Sequence, residues 1–147
     1  MKDTQKRIRV IAGPNGSGKS TLLNLIRNRV HTGPYVNADN IAKLLAEQKV
    51  VNLMNTFGIT ATEQNFQKFM IVAGKGWADK ASEEGSNISL GFDNNNLLIK
   101  DASSLGYDAA LAADFIRFEL LGGQTSFTFE TVLSHPSKIK FLEIAGF

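Results

Sequence analysis

The sequence contains no cysteine, so disulfides, thiol nucleophiles and thiolate metal ligands are excluded. Its two histidines, His31 and His135, are too few to form a zinc site by themselves. No apolar run approaches the roughly 20 residues that a membrane-spanning helix needs, which predicts that the chain has no membrane partner. The net charge is only +2 and there is no long run of lysine and arginine, which argues against nucleic acid as a partner.

What remains is the composition of a globular protein. With 147 residues, 43% of them hydrophobic and 20% charged, the chain can bury one sizeable core, which predicts a single domain over residues 1–147. The polar residues 1–7 lead directly into an apolar segment, so we expect no signal peptide and a cytoplasmic location. Residues 48–106 are less regular, and we expect them to form an insertion or a lobe on the substrate side.

The octapeptide at residues 13–20 carries the strongest chemical signal. It reads Gly-Pro-Asn-Gly-Ser-Gly-Lys-Ser and fills every fixed position of the phosphate-binding loop G-x-x-x-x-G-K-[ST]. Glycines let successive backbone N–H groups converge on a phosphate, while Lys19 can reach the β- and γ-phosphates and the Ser20 hydroxyl can bind Mg²⁺. The residues expected to contact a nucleotide are Gly13, Pro14, Asn15, Gly16, Ser17, Gly18, Lys19, Ser20 and Thr21. The predicted cofactors are therefore ATP or GTP together with Mg²⁺.

The segments on either side of this loop have the required pattern. Residues 7–12 are β-like and increasingly apolar, and residues 22–30 place apolar side chains on one helical face. A strand, a phosphate loop and a helix in this order predict an α/β fold of the P-loop NTPase type. We expect a three-layer sandwich with a mostly parallel sheet and a helical and hairpin insertion.

Asp39 is the last residue of a short predicted strand, residues 35–39, and precedes a helical pattern that begins at Asn40. In one interpretation this carboxylate caps the helix. In the other, it lies at the carboxyl end of a parallel strand beside the phosphate loop, where it accepts a proton from a substrate hydroxyl or helps to hold Mg²⁺. Both roles stay open.

The middle of the chain predicts a helix and a hairpin. Residues 60–63 resemble a capping box before a helix that ends near Gly74. Residues 87–92 and 96–100 are expected to pair around a turn between them. An aromatic residue near a helix end usually packs in a core, so Trp77 is interpreted as packing rather than as a platform for a base or sugar.

A second carboxylate is expected at the end of the last predicted strand. Residues 107–121 form an amphipathic pattern in which Asp114 and Arg117 lie away from the centre of the apolar face. We expect the Arg117 side chain in solvent, with phosphate binding as the alternative. Residues 125–130 then alternate as a strand that ends at Glu130.

Three blocks of this sequence together resemble the zeta-toxin-like P-loop kinases. They are residues 13–22 (GPNGSGKSTL), 36–42 (VNADNIA) and 127–134 (FTFETVLS), and the resemblance covers residues 7–47 and 107–146. It implies a kinase that uses ATP or GTP to phosphorylate a hydroxyl of UDP-N-acetylglucosamine or a related metabolite. It also implies a possible antitoxin protein as partner.

The resemblance assigns roles residue by residue. Lys19 and Ser20 would bind phosphates and metal, Asp39 would be the general base, and Glu130 would bind substrate or metal. The sequence departs from the best-known toxins after Glu130, where the candidate substrate contacts are Thr131 and Ser134.

Residues 136–146 predict a final helix. Because only three expected strands of the parallel sheet precede it, we expect a sheet that is incomplete at the C-terminus, a shortened kinase and an exposed apolar surface that favours dimerisation. The alternative function is a non-catalytic nucleotide-binding module, or a degenerate toxin that acts through a protein partner. A kinase acting on nucleic-acid ends would need a basic groove.

Overall fold

The computed structural model describes residues 6–14, 16–29, 32–131 and 143–144. These residues form two compact units: the first combines the residues up to Asn37 with those from Leu120 onward, and the second is Ala38–Glu119. Within the described part of the chain, no helix is both long and apolar enough to cross a membrane.

The first unit is built on a parallel sheet that joins distant parts of the chain. Its elements are β1 (Ile8–Ala12), α1 (Lys19–Arg27), β2 (Tyr35–Val36) and β6 (Phe127–Thr131). The strand order is β1-β6-β2, and both pairs are parallel. Ala12 is the register partner of Thr131, so the carboxyl ends of β1 and β6 lie side by side. The predicted parallel sheet with a helix after its first strand is confirmed.

Strand β6 occupies the centre of this sheet and is covered on both faces. Phe127, Thr128 and Phe129 are all buried, as is typical of a central strand in a parallel sheet. The hydroxyl of Thr128 donates to the carbonyl oxygen of Thr32 over 2.8 Å, which satisfies a polar group in this environment. The strand extends one residue past the predicted end at Glu130, because Thr131 still pairs with β1.

The second unit combines helices with a short antiparallel sheet. Its elements are α2 (Ala38–Gln48), β3 (Val50–Asn52), α3 (Leu53–Phe57), α4 (Glu63–Phe69), α5 (Lys75–Glu83), β4 (Gly91–Asp93), β5 (Asn96–Leu98) and most of α6 (Leu105–Gly122). The strand order is β3-β5-β4. Strands β4 and β5 confirm the predicted hairpin, and both turn residues, Asn94 and Asn95, have the positive φ that such turns require. Strand β3 was not predicted, because three residues are too few to show alternation.

The predicted stop of the α4 helix near Gly74 is wrong. The chain continues through a π-helical segment, Met70–Gly74, directly into α5. Gly74 has helical dihedral angles, φ −63° and ψ −34°, and a Cβ there would lie 3.1 Å from Cε of Met70. The glycine therefore makes room for a methionine side chain instead of ending the helix. A helix does begin near the predicted capping box, but its N-cap is Thr62 and not Thr60: Glu63 is the first residue of α4, and the Thr62 hydroxyl accepts from the backbone N–H of Asn65 over 3.1 Å.

Helix α6 is buried more completely than its amphipathic pattern predicts. Asp114 and Arg117 are only 4% and 2% exposed and form an ion pair with each other. The indole Nε1 of Trp77 donates to Oδ2 of Asp114 over 2.8 Å. The expectation that Arg117 is solvated is wrong, because Asp114 compensates its charge inside the protein and is itself hydrogen-bonded to Trp77. The packing interpretation of Trp77 is confirmed.

Candidate functional site

The phosphate loop connects the end of β1 to the start of α1. Gly13, Gly16 and Gly18 all have positive φ, at 155°, 80° and 88°. A Cβ at Gly13 would lie 2.7 Å from the Ser17 hydroxyl oxygen, so any other residue at this position would force the Ser17 side chain to move and would have to adopt an unfavourable φ. The backbone N–H of Gly13 donates to the Thr131 carbonyl oxygen over 3.2 Å, which ties the loop to β6.

The geometry of this loop fits a nucleotide phosphate. Gly18 caps the start of α1 and has no side chain to occupy the first N–H groups of that helix. A Cβ at Gly16 or Gly18 would meet no atom within 4 Å, so space lies open over the loop. Free N–H donors at a helix N-terminus together with open space form an anion site. Asn15, which was also expected to contact the nucleotide, lies outside the described residues.

Lys19 is the first residue of α1 and points back toward the loop. Its side chain is buried, and Nζ donates to the carbonyl oxygen of Gly13 over 2.5 Å. The same Nζ lies 3.6 Å from Oε1 of Glu130. The two residues are 111 positions apart in the sequence, and the pairing of β1 with β6 brings them together. The structure thus brings the second carboxylate next to the lysine of the phosphate loop.

Glu130 is held by two polar side chains from the β2 region. The Tyr35 hydroxyl donates to Oε2 of Glu130, and Nδ2 of Asn37 donates to the same oxygen over 2.9 Å. Nδ2 of Asn37 also donates to the Tyr35 hydroxyl over 3.2 Å. The guanidinium of Arg27 lies over the Tyr35 ring, 5.4 Å from its centroid. Burial, and then the bond to Glu130, raises the pKa of Tyr35 to about 12, so its hydroxyl is a hydrogen-bond donor at neutral pH.

Magnesium would have to be held largely by the nucleotide. Among the residues that the structure describes, no group of three or more His, Asp and Glu side chains could hold a metal ion. Mg²⁺ bound to a nucleotide needs no such group, because phosphate oxygens and water complete its octahedron around one or two protein oxygens. Ser20, which is exposed on the first turn of α1, can supply one hydroxyl. The residues present therefore fit Mg²⁺ with a nucleoside triphosphate.

Asp39 does not occupy the position expected from the sequence. Helix α2 already begins at Ala38, so Asp39 lies within its first turn and is neither the N-cap nor the end of β2. A carboxylate in this turn still interacts favourably with the helix dipole. Asp39 belongs to the second unit and is exposed, and its catalytic role stays a prediction.

Of the two substrate contacts expected after Glu130, only Thr131 lies among the described residues. Thr131 is buried at the end of β6, 6% exposed, and its carbonyl oxygen accepts from Gly13 as noted above. Ser134 and nearly all of the predicted final helix at residues 136–146 lie outside the described residues. Thr21 is exposed on the first turn of α1.

A family model described as ABC transporter matches residues 2–112, which is well over half of the chain. The chain belongs to the ABC transporter family. No curated protein matches the chain. No solved structure matches it either.

Membership of the ABC transporter family establishes a P-loop NTPase domain with the α/β fold and supports ATP with Mg²⁺ as its ligands. The matched region contains the phosphate loop and Asp39 and ends before β6, so it does not include Glu130. It does not distinguish the zeta-toxin-like kinases from other P-loop proteins. The family match does not support GTP as a ligand.

Tyr35 and Asn37 are the site residues that the sequence interpretation missed. The signal was present, because the strand before Asp39 was predicted and carboxyl ends of parallel strands meet at one edge of a sheet. What the sequence could not show is that β6 lies between β1 and β2, which places Glu130 within reach of both.

Proposed function

We propose that this protein is an ATP- and Mg²⁺-dependent phosphotransferase that phosphorylates a hydroxyl of a small molecule. The observation that carries the proposal is the position of Glu130 Oε1, 3.6 Å from Nζ of Lys19 at the phosphate loop. A loop of this kind binds a triphosphate, and a carboxylate beside its lysine is suited to hold a metal ion or the acceptor. The resemblance to the zeta-toxin-like kinases favours a sugar nucleotide such as UDP-N-acetylglucosamine as acceptor.

The proposed roles combine the chemistry of the loop motif with those that the resemblance to the zeta-toxin-like kinases implies. The loop N–H groups and Lys19 hold the phosphates and stabilise the charge of the transferring group. Ser20 holds Mg²⁺, which neutralises phosphate charge when it is bound. Asp39 accepts the proton of the acceptor hydroxyl, whose oxygen forms the new bond to phosphorus as ADP leaves. Glu130 and Thr131 orient the acceptor or the metal, and Ser134 is a further substrate contact.

Several finer expectations belong to the same proposal. They are GTP as an alternative donor, a three-layer sandwich, a cytoplasmic location and an antitoxin protein as partner. Each rests on the resemblance or on the sequence pattern and needs its own test.

ATP hydrolysis is the second candidate, and membership of the ABC transporter family favours it. In this case water takes the place of the acceptor hydroxyl, and the same loop, Lys19 and Ser20 serve the reaction. The two candidates differ in the fate of the γ-phosphoryl group. Transfer labels the acceptor, whereas hydrolysis releases inorganic phosphate.

The deciding experiment measures Mg-ATP binding by calorimetry and then follows γ-labelled ATP with UDP-N-acetylglucosamine present. Lys19→Ala should weaken binding by about 10- to 100-fold, because it removes a charged hydrogen-bond donor to phosphate. Lys43→Ala, a change at an exposed lysine of α2, is the matched control and should bind as the wild type does. Lysine-dependent binding without transfer or hydrolysis would favour a binding module, and folded protein without binding would contradict the whole proposal.

The same assay tests whether Asp39 is the general base. Asp39→Asn should keep ATP binding within about twofold and lower transfer by about 100-fold or more, since a positioned base typically contributes this much. Unchanged transfer in Asp39→Asn would remove Asp39 from the mechanism without affecting the nucleotide site.

A further inference from the structure

Lys19 and Glu130 form an ion pair without a direct hydrogen bond between them. Nζ of Lys19 and Oε1 of Glu130 are 3.6 Å apart, whereas a charge-assisted hydrogen bond between an ammonium and a carboxylate is about 2.7–2.9 Å long. Both side chains are largely withdrawn from water, at 7% and 13% exposure, so their attraction is only partly screened. Some other contact must therefore oppose closure of the pair.

The opposing contacts come from the other side of β6. Oε2 of Glu130 accepts from the Tyr35 hydroxyl and from Nδ2 of Asn37, and the strand register explains the position of Asn37. Val36 pairs with Phe129, so the next residue along each chain, Asn37 and Glu130, reaches the same level of the sheet. The ring of Tyr35 is in turn held by Arg27 of α1.

We propose that Tyr35 and Asn37 are positioning residues that hold the Glu130 carboxylate out of hydrogen-bond reach of Lys19, which keeps the lysine available to nucleotide phosphates. The inference rests on the proposed nucleotide site and adds a restraint to it. If Glu130 were released from β2, it would close on Lys19 and compete with the phosphates for the same ammonium. The Gly13 carbonyl, which also accepts from Lys19, meanwhile keeps the ammonium at the loop.

The test is a double-mutant cycle read out as ATP affinity without Mg²⁺, so that metal binding does not contribute. Tyr35→Phe should weaken ATP binding by about tenfold, the effect of one hydrogen bond to a charged group. In the Glu130→Gln background the same change should alter affinity by less than about twofold, because no anion remains to compete for Lys19. Tyr107→Phe is the matched control, since it removes the other tyrosine hydroxyl from the second unit, and should leave affinity unchanged.

Equal losses in the two backgrounds, or no loss in either, would overturn the inference. If Tyr35→Phe does not fold, Asn37→Ser replaces it in the same cycle. This change removes the other side-chain amide that donates to Oε2 of Glu130.

A nucleotide-free measurement separates this inference from the proposed function. The side-chain ammonium signal of Lys19, assigned with Lys19→Arg, should shift in the NMR spectrum of Tyr35→Phe and should not shift when Glu130→Gln is also present. If the wild type binds no ATP, the proposed function fails while this shift still supports the restraint. An unmoved Lys19 signal in Tyr35→Phe would overturn the restraint whatever the protein binds.

Discussion

Ile11 of β1 and Glu130 of β6 are register partners in a parallel strand pair. This pairing places Glu130 beside the strand that leads into the phosphate loop, where Nζ of Lys19 lies 3.6 Å from its carboxylate. Since the two strands are separated by almost the whole chain, the site exists only when the first unit is folded.

Ser20 should determine how strongly Mg²⁺ promotes ATP binding. Ser20→Ala removes a hydroxyl from the first turn of α1, so the gain in ATP affinity on adding Mg²⁺ should fall by about fivefold, the effect of one polar contact. Calorimetric titrations with and without Mg²⁺ measure this gain. Ser82→Ala, at an exposed serine of α5, serves as the control and should keep the full gain. A similar gain in Ser20→Ala and wild type would contradict the metal role of Ser20.

Gly33 is predicted to be essential to the fold of the first unit. It has φ 64°, and a Cβ there would collide with the carbonyl oxygen of Ser126, which is backbone and cannot turn away. Gly33→Ala should lower the free energy of unfolding by about 2 kcal/mol or more. The matched variant is Gly76→Ala, which lies within α5 with no atom within 4 Å of its new Cβ and should raise that free energy by about 0.5–1 kcal/mol.

Urea unfolding measures the stability of both glycine variants. It distinguishes a steric collision at Gly33 from an equal loss of stability at any glycine that is replaced by alanine. Equal destabilisation by Gly33→Ala and Gly76→Ala would contradict the argument from space and φ. A Gly33→Ala protein as stable as the wild type would do so as well.

Removing one member of the buried Asp114–Arg117 pair should lower the free energy of unfolding far more than replacing both members with apolar residues. Asp114→Ala leaves the Arg117 charge and the Trp77 indole without their carboxylate, so the free energy of unfolding should fall by about 3–5 kcal/mol. The double variant Asp114→Leu with Arg117→Met should recover most of this loss, since it removes both charges. Urea unfolding measures both, and a double variant no more stable than Asp114→Ala would show that the pair acts through packing alone.

Glu119 should make stability depend on pH. Burial is the main effect on this carboxyl and raises its pKa above the ordinary value of 4.5, against a hydrogen bond from Asn65 that lowers it. A raised pKa in the folded state contributes stability that is complete below the ordinary pKa and is lost as pH rises through the folded pKa. Glu119→Gln should therefore be more stable than the wild type at neutral pH, and this advantage should shrink toward acid pH.

Thermal unfolding measured from acid to neutral pH checks the Glu119 prediction. Glu47→Gln, at an exposed residue of α2, reports the effect of removing one negative charge from the surface. An advantage of Glu119→Gln that is constant with pH would contradict the assignment.

The local predictions that held are those in which one short segment contains the whole signal. The glycine spacing in residues 13–20 predicted the loop, and the asparagines at 94 and 95 predicted a hairpin turn, because a positive φ is a property of individual residues. The predicted helix stop at Gly74 was wrong, because glycine permits a helix to end but does not require it. Here the absence of a side chain at Gly74 leaves room for Met70.

Charges were the least predictable feature. The pattern of α6 placed Asp114 and Arg117 away from the apolar face, and Arg117 was expected in solvent, yet Trp77 from α5 packs there and both charges are buried. A helical pattern reports which face of a helix is polar and cannot report what covers that face.

The sequence by itself determined the phosphate loop, its flanking strand and helix, and the place of Glu130 near the end of the last predicted strand. Only the tertiary structure decided that one carboxylate oxygen of Glu130 approaches Lys19 and that the other accepts from Tyr35 and Asn37, because β6 inserts between β1 and β2. Motifs depend on dihedral preferences and spacing within a few residues. Contacts between distant strands depend on which backbone edges pair and on what each pairing buries, which is a property of the whole chain.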